Sequence, residues 1–353
     1  MNFIFSLDYE LFGDGSGNVF KHMIEPTERI LNICDSHNIK ITIFFEVVEY
    51  LRLREEWNKN NRMGYNNNPI EAIDANLKKA AANGHDIQLH IHPQWVKAKY
   101  VNHEWKVDFL NWRLGSFQEK RSYNLECLFK EGKNTIEDIV HKVKPNYECI
   151  ALRAGGYNIM PSKAIYDAMK KAGLKIDSSV YPGGYEIGNL SDYDFRGVEN
   201  NLDYWWANPA DITKKSTNNQ EIMEIPIFAL FKPRWRKVVN IHRIKSILTD
   251  NKSPISSLSK SKITRKSLLG KIGYLLEKEA FTWDYFLFDS GLNNYFLRYI
   301  DKYLCDKRDT FVLIGHPKCP FNCNAFKNLI KEIKKRGGEF KTIKQFYEDT
   351  MHL

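Results

Sequence analysis

Short runs in which apolar and polar residues alternate, or in which apolar residues are continuous, recur along the chain at 3–8, 41–45, 86–92, 149–153, 174–178, 221–226 and 311–315. Both patterns are strand signals. Between them, 25–37, 70–83, 135–143, 162–172 and 325–336 carry apolar residues at helical spacing. Gly84 and Gly173 stand where helix C-caps belong. Strands alternating with helices predict a parallel α/β architecture. No internal repeat and no clear linker interrupts it, so one domain over 1–353 is expected. Two stretches, about 95–126 and 232–280, are too long for ordinary connections and read as insertions.

The most informative run is Gly84-His85-Asp86-Ile87-Gln88-Leu89-His90-Ile91-His92-Pro93-Gln94-Trp95. Ile87, Leu89 and Ile91 alternate with Gln88, His90 and His92, so both imidazoles leave the same face of a strand. Their Cα atoms then lie about 6.5–7 Å apart, close enough for two ligands to converge on one divalent ion. A lone histidine on an apolar strand is ordinarily a hydrogen-bonded core residue. Two in register are costlier to bury, because both must be satisfied. His85 faces the other way and reads as structural or capping. Asp8 and Glu10 also share one side of their strand. One carboxylate suits a metal and the other a proton from bound water, although a pair of solvated acids at a strand end fits the same spacing. Asp8, Glu10, His90, His92, Arg153, Asp177 and His316 all fall at C-terminal ends of predicted strands, the rim on which barrel sites are built. Together they point to a metal-dependent hydrolase.

Composition narrows the setting. Of 353 residues, 43% are hydrophobic and 13% aromatic, enough for a substantial core. No run approaches the roughly eighteen apolar residues of a membrane span. The opening Met-Asn-Phe-Ile-Phe-Ser-Leu-Asp has no basic region or long apolar stretch, so no signal peptide is expected. Six cysteines in so long a chain make no disulfide framework, and Cys319 and Cys323 read as separate thiols. A cytoplasmic protein is the expectation. Charge is uneven: 232–271 holds twelve Lys or Arg against one acid, a segment charge of +11 where the whole chain carries +9. That segment reads either as a contact for an anionic surface or substrate or as a solvated basic insertion. Nucleic acid is not expected, because no stacking aromatics stand at defined spacing.

In this order the segments resemble the polysaccharide deacetylases of the NodB-homology, carbohydrate esterase family 4 type, and in particular a bacterial subgroup whose first motif reads Asp-x-Glu or Asp-x-Asp. The residues that carry the resemblance are Phe5-Ser6-Leu7-Asp8-Tyr9-Glu10, Ile41-Thr42-Ile43-Phe44-Phe45, Gly84-His85-Asp86-Ile87 with His90, Leu152-Arg153-Ala154-Gly155-Gly156-Tyr157, Gly173 to Pro182, Glu224-Ile225-Pro226, and Leu313-Ile314-Gly315-His316-Pro317. They run in family order over about residues 1–320. The resemblance implies an irregular (β/α)7-type barrel with insertions and a divalent metal, zinc by ligand type. It implies Asp8 as general base, Glu10 and His90 as metal ligands, Arg153 as partner of the base, Tyr157 as a backbone oxyanion donor and His316 as general acid. Asp177 matches a motif residue of undefined role, grouped with the catalytic set.

Two departures stand out. The family's second metal histidine falls on Gln94, and an amide is a poor zinc ligand; His92 or Gln94 completes the site. Gly155 replaces the family's usual proline. The implied activity is removal of an N-acetyl or other N-acyl group from an amino sugar during surface polysaccharide (O-antigen, lipopolysaccharide or capsule) assembly. The basic segment suits a nucleotide- or lipid-linked substrate and peripheral contact with the inner membrane face through 232–271. Two alternatives are a non-catalytic glycan-binding relative and a hydrolase of the same fold acting on a small-molecule amide. Trp95, Trp105, Trp112, Trp205, Trp206 and Trp235 are divided between candidate sugar platforms and core.

Overall fold

The computed structural model describes residues 1–117, 122–233 and 278–352. Most of the basic segment, Trp235 included, lies outside them. Lys232, counted with that segment, is buried with Nζ 3.6 Å from the Tyr295 ring centroid.

The scaffold is a curled parallel sheet made of β1 (Asn2–Tyr9), β2 (Thr42–Glu46), β3 (Asp86–Ile91), β4 (Ala151–Ala154), β5 (Ile176–Asp177), β6 (Met223–Glu224) and β7 (Thr310–Leu313), adjacent in the order β6-β5-β4-β3-β2-β1-β7. Every one of these neighbours is parallel. The two ends of the row meet at a bridge between Ile227 and Val312, where the Phe228 N–H also donates to the Val312 carbonyl at 2.9 Å. The result is a barrel closed by one short contact, the irregular (β/α)7 form. An antiparallel pair, Trp205–Asn208 and Asp211–Lys215, extends the sheet beyond β6.

The helices are α1 (Glu25–Ser36), α2 (Val47–Asn58), α3 (Pro69–Ala82), α4 (Leu125–Val140), α5 (Lys163–Ala172), α6 (Ser290–Tyr303), α7 (Cys323–Lys335) and α8 (Ile343–Met351). Four of the expected helices coincide with α1, α3, α5 and α7. The helix expected at 135–143 starts too late: α4 begins at Leu125, where the Asn124 side chain accepts the Cys127 N–H. Gly132 interrupts its periodicity for a packing reason, since a Cβ there would lie 2.6 Å from Leu89 Cδ1. Helices α2, α6 and α8 were not anticipated. No spacer announces α2, because Glu46 ends β2 and caps the helix with the same side chain.

Parity sorts the barrel. Ile4, Phe44, Ala151, Ile176, Ile225, Ile227, Val312 and Ile314 pack together inside the curl. Their strand neighbours Phe5, Leu7, Ile43, Phe45, Ile87, Leu89 and Leu152 face outward into the larger core shared with the helices. Continuing the inward rows toward the C-terminal strand ends replaces apolar residues by Asp8, Glu10, Glu46, His90, His92, Arg153 and His316. The apolar floor thus holds a charged rim away from bulk water, where electrostatic interactions are strong.

The insertion after β3 folds into a hairpin, Lys99–Val101 with Glu104–Lys106, followed by short 3-10 turns. Trp95, Trp105, Trp112 and Trp205 are buried, so they serve as core rather than as open sugar platforms; Trp206 is half-buried. Among the described residues no helix is long and apolar enough to cross a membrane.

Candidate metal centre and catalytic residues

Strand register assembles the site. Glu46 on β2 pairs with His90 on β3, and His90 pairs with Arg153 on β4, so three polar side chains sit side by side in one layer. Glu10 and His92, just past the ends of β1 and β3, lie one step higher on the same inward rows. One donor atom each from Glu10, Glu46, His90 and His92 lies within 4.8 Å of the others, and all four residues are buried. Asp8, Glu10 and His316 form an overlapping group.

The orientation of the His90 ring follows from its neighbours. Its Nδ1 lies 2.8 Å from the Arg153 carbonyl, which can only accept, so Nδ1 carries a proton and Nε2 is the nitrogen turned to the cluster. That nitrogen is buried, makes no hydrogen bond to a described residue, and faces Glu10 Oε2 at 3.4 Å. His92 Nε2, also buried, lies 2.7 Å from the same oxygen, within hydrogen-bonding distance of it. Burial pushes His92 below the ordinary imidazole range, against the pull of Glu10, which favours the neutral ligand form. Two imidazoles and two carboxylates gathered in a buried pocket bring four donor atoms within reach of one cation. The donor set therefore fits a divalent metal, and nitrogen with oxygen donors suits zinc and its neighbours.

Gln94 does not face the cluster as a ligand. Its side-chain nitrogen lies 2.9 Å from His92 Nδ1 and 3.3 Å from the Gly13 carbonyl. It holds the back of the His92 ring. In this arrangement the amide N–H donates to Nδ1, so the neutral ring carries its proton on Nε2 toward Glu10; ligation by Nε2 requires the amide to turn its unpartnered oxygen to Nδ1. His92 can reach inward because position 155 is glycine: a Cβ there would stand 2.5 Å from His92 Cγ and Nδ1. The histidine at 92 and the glycine at 155 are one coupled feature.

Burial would raise Asp8, but Arg153, then His90 and His316, outweigh it and hold the carboxyl below its ordinary value. Arg153 Nη1 donates to Asp8 Oδ1 at 2.7 Å and to Ser6 Oγ at 2.8 Å; its Nε donates to the Ser178 carbonyl at 2.9 Å. The guanidinium also lies 4.0 Å over the Phe44 ring. Glu10 is held well below the carboxylate range: burial opposes this, while Lys318 and His92 prevail. Lys318 Nζ donates to Glu10 Oε1 at 2.7 Å and to the Leu11 carbonyl at 2.9 Å. His316 is held above the ordinary imidazole value; burial pulls it down, and the hydrogen bond that its Nδ1–H donates to Asp284, with the charge of Asp8, more than compensates. Its Nδ1 is 3.3 Å from Asp284 Oδ2 and its Nε2 3.6 Å from Asp8 Oδ2.

Tyr157 sits at φ +62°, just after Gly156 at +56°, a left-handed bend that a tyrosine adopts only under constraint. Its ring packs edge-on against Tyr181 with centroids 4.9 Å apart. Asp177 stands apart from both clusters. Its two oxygens accept the Ser179 hydroxyl at 2.7 Å and the Ser179 N–H at 3.1 Å. It pairs in register with Glu224, which burial, then the charge of Asp177, pushes well above the carboxylate range. Asp177 thus belongs to a buried carboxyl pair that anchors strand ends. His85 is structural: Nδ1 accepts the Ile41 N–H at 3.1 Å.

Glu46, Asp284 and Lys318 escaped the sequence reading. Glu46 was detectable, since it follows Phe44 by two and so shares the inward parity of Asp8. Lys318 lies two beyond His316. Nothing local marks Asp284.

No protein-family model and no curated protein matches the chain. Among solved structures it is similar to a Mycobacterium smegmatis protein assigned as a polysaccharide deacetylase, at 11% identity, covering 99% of this chain and 89% of that one with a TM-score of 0.46. It is also similar to Puue allantoinase, at 10% identity, 97% and 87% coverage and a TM-score of 0.46. A third neighbour is a family 4 acetyl xylan esterase from Clostridium thermocellum, in complex with a cobalt ion, at 10% identity, 99% and 91% coverage and a TM-score of 0.37. The chain is similar to these structures over nearly its whole length, at identities and scores too low to carry their chemistry across.

Proposed function

We propose that the protein is a metal-dependent hydrolase that removes an N-acyl group, N-acetyl above all, from an amino sugar. The observation that carries this reading is the convergence of two buried imidazole nitrogens on Glu10, beside an Asp8 kept ionised by Arg153. When bound, a divalent ion supplies Lewis acidity to the acyl carbonyl and to a water molecule. Asp8 takes the proton of that water as its oxygen bonds to the acyl carbon. His316, charged through Asp284 and Asp8, gives its proton to the nitrogen as the C–N bond breaks, leaving a carboxylate and a free amine. Glu10 and His90 hold the metal, with His92 in the place the resemblance gives to position 94. Tyr157 closes the acyl side of the pocket, its backbone amide serving the developing oxyanion. The surface-polysaccharide setting, a nucleotide- or lipid-linked sugar and a cytoplasmic site of action belong to the same proposal, supported by the motif order and the charge of 232–271.

Elemental analysis of the purified protein, with acetate release measured on N-acetylated amino sugars before and after chelation, tests it. One divalent ion per chain and chelator-sensitive acetate release are expected. Full activity in the metal-free protein would remove the reading.

The opposed shifts of Asp8 and His316 give the pH dependence a sign. Activity needs Asp8 ionised and His316 protonated, so kcat/KM should form a bell. Its acid limb should fall below the ordinary aspartate value near 4, and its basic limb above the ordinary imidazole value of about 6.5. Asp284→Asn removes the principal group that raises His316, so the basic limb should move to lower pH. A limb that stays in place would take His316 out of the acid role.

A further inference from the structure

We propose that Glu46 is a protein ligand of the divalent ion, a fourth donor beside Glu10, His90 and His92. This rests on the reading of that cluster as a metal centre and adds to it a residue that no resemblance supplies. Glu46 is fully buried, and its two oxygens have different fates. Oε1 accepts the Val48 N–H at 3.0 Å and the Glu49 N–H at 3.3 Å, capping α2. Oε2 is buried and makes no well-formed hydrogen bond among the described residues, the His92 N–H being its nearest backbone donor; burial and the charges of Glu49 and Glu10 push the carboxyl well above the carboxylate range. The cations nearby are engaged elsewhere: Lys318 pairs with Glu10 and Arg153 with Asp8. A buried carboxylate with no counter-ion is costly, and the cost is removed when a cation occupies the space it faces.

The placement is set by the fold. The helix cap fixes one end of the carboxylate, and the pairing of Glu46 with His90 puts the other beside His90 Nε2, with its donor atom inside the 4.8 Å cluster. Two carboxylates and two imidazoles form a neutral set around a divalent ion. That set is harder than one of a single carboxylate and two imidazoles, and so more tolerant of manganese or cobalt beside zinc.

The test compares metal binding by the full-length, metal-free protein in three forms: wild type, Glu46→Gln and Glu46→Asp. Gln keeps an oxygen to cap α2 but is a weak ligand. Asp is itself a strong N-cap, yet its shorter side chain withdraws the free oxygen, so it decides the matter if the Gln variant fails to fold. Zn2+ affinity is read by calorimetry, and Co2+ coordination by the visible ligand-field bands. Both variants are expected to bind Zn2+ about 10–100-fold more weakly, the size of effect seen even for groups that only orient ligands. Their Co2+ bands should also change in position and intensity. Wild-type affinity and an unchanged Co2+ spectrum in a folded variant would reduce Glu46 to a helix cap and overturn the proposal, while leaving Glu10, His90 and His92 as the metal site. Failure of the wild type to bind either ion would overturn both.

Discussion

Asp8→Asn is expected to lower kcat by about 10²–10⁴-fold, the range for loss of a positioned general base, with the bound metal retained. Asn keeps an oxygen toward Arg153 Nη1, so the buried guanidinium is not stripped of its acceptor. It loses the negative charge that both receives the proton and helps to raise His316. Asp8→Ala should be worse in a second way, because removing one member of a buried ion pair costs about 3–5 kcal/mol. The separating measurement is metal content against turnover: the Asn variant should be metal-replete and nearly inactive. A metal-replete Asn variant with more than about a tenth of wild-type kcat would assign the base elsewhere.

The second large effect concerns a residue with no functional atom. Gly155→Ala is expected to disrupt the metal centre, because the added carbon would lie 2.5–2.6 Å from three atoms of the His92 ring. Gly155 is not among the glycines at positive φ, so its backbone can accept alanine and the conflict is with the ring alone. Overpacking of this kind costs about 1–3 kcal/mol. The imidazole must turn away, and metal affinity should fall at least as far as for loss of an orienting group, about 10–100-fold. A double-mutant cycle identifies the cause: in a His92→Ala background the Gly155→Ala change should cost little stability, since the ring it strikes is gone. Equal costs in both backgrounds, or unchanged metal affinity in the single variant, would mean that His92 is not seated as a ligand. Proline at 155 would impose the same conflict.

The alternation of Ile87, Leu89 and Ile91 with His90 and His92 was enough to put both imidazoles on one face, because side-chain direction in a strand is a local property of period two. The same reasoning placed Asp8 and Glu10 on one side of their strand. The α/β alternation and the positions of β1 to β7 were legible within a few residues, since each parallel strand is an apolar run bounded by a helix or a turn. The helices that went unread failed for local reasons. The cap of α2 lies inside the preceding strand, and the first turns of α4 carry a glycine chosen for Leu89. Asp177 was grouped with the catalytic residues by motif position, and its oxygens are engaged by Ser179 in the fold.

What the chain determined by itself is therefore what depends on neighbours in sequence: which residues alternate, which face each presents, and where a strand must stop. What only the tertiary structure decided is which of those faces meet. Glu46 comes to His90 through the register of β2 on β3, Asp284 comes to His316 through the strand fragment that bridges to Ile314, and Lys318 reaches Glu10 across more than three hundred residues. The space at Gly155 has meaning only once a ring from another strand fills it. Such contacts are set by the closure of the barrel, and closure is a property of all its strands together.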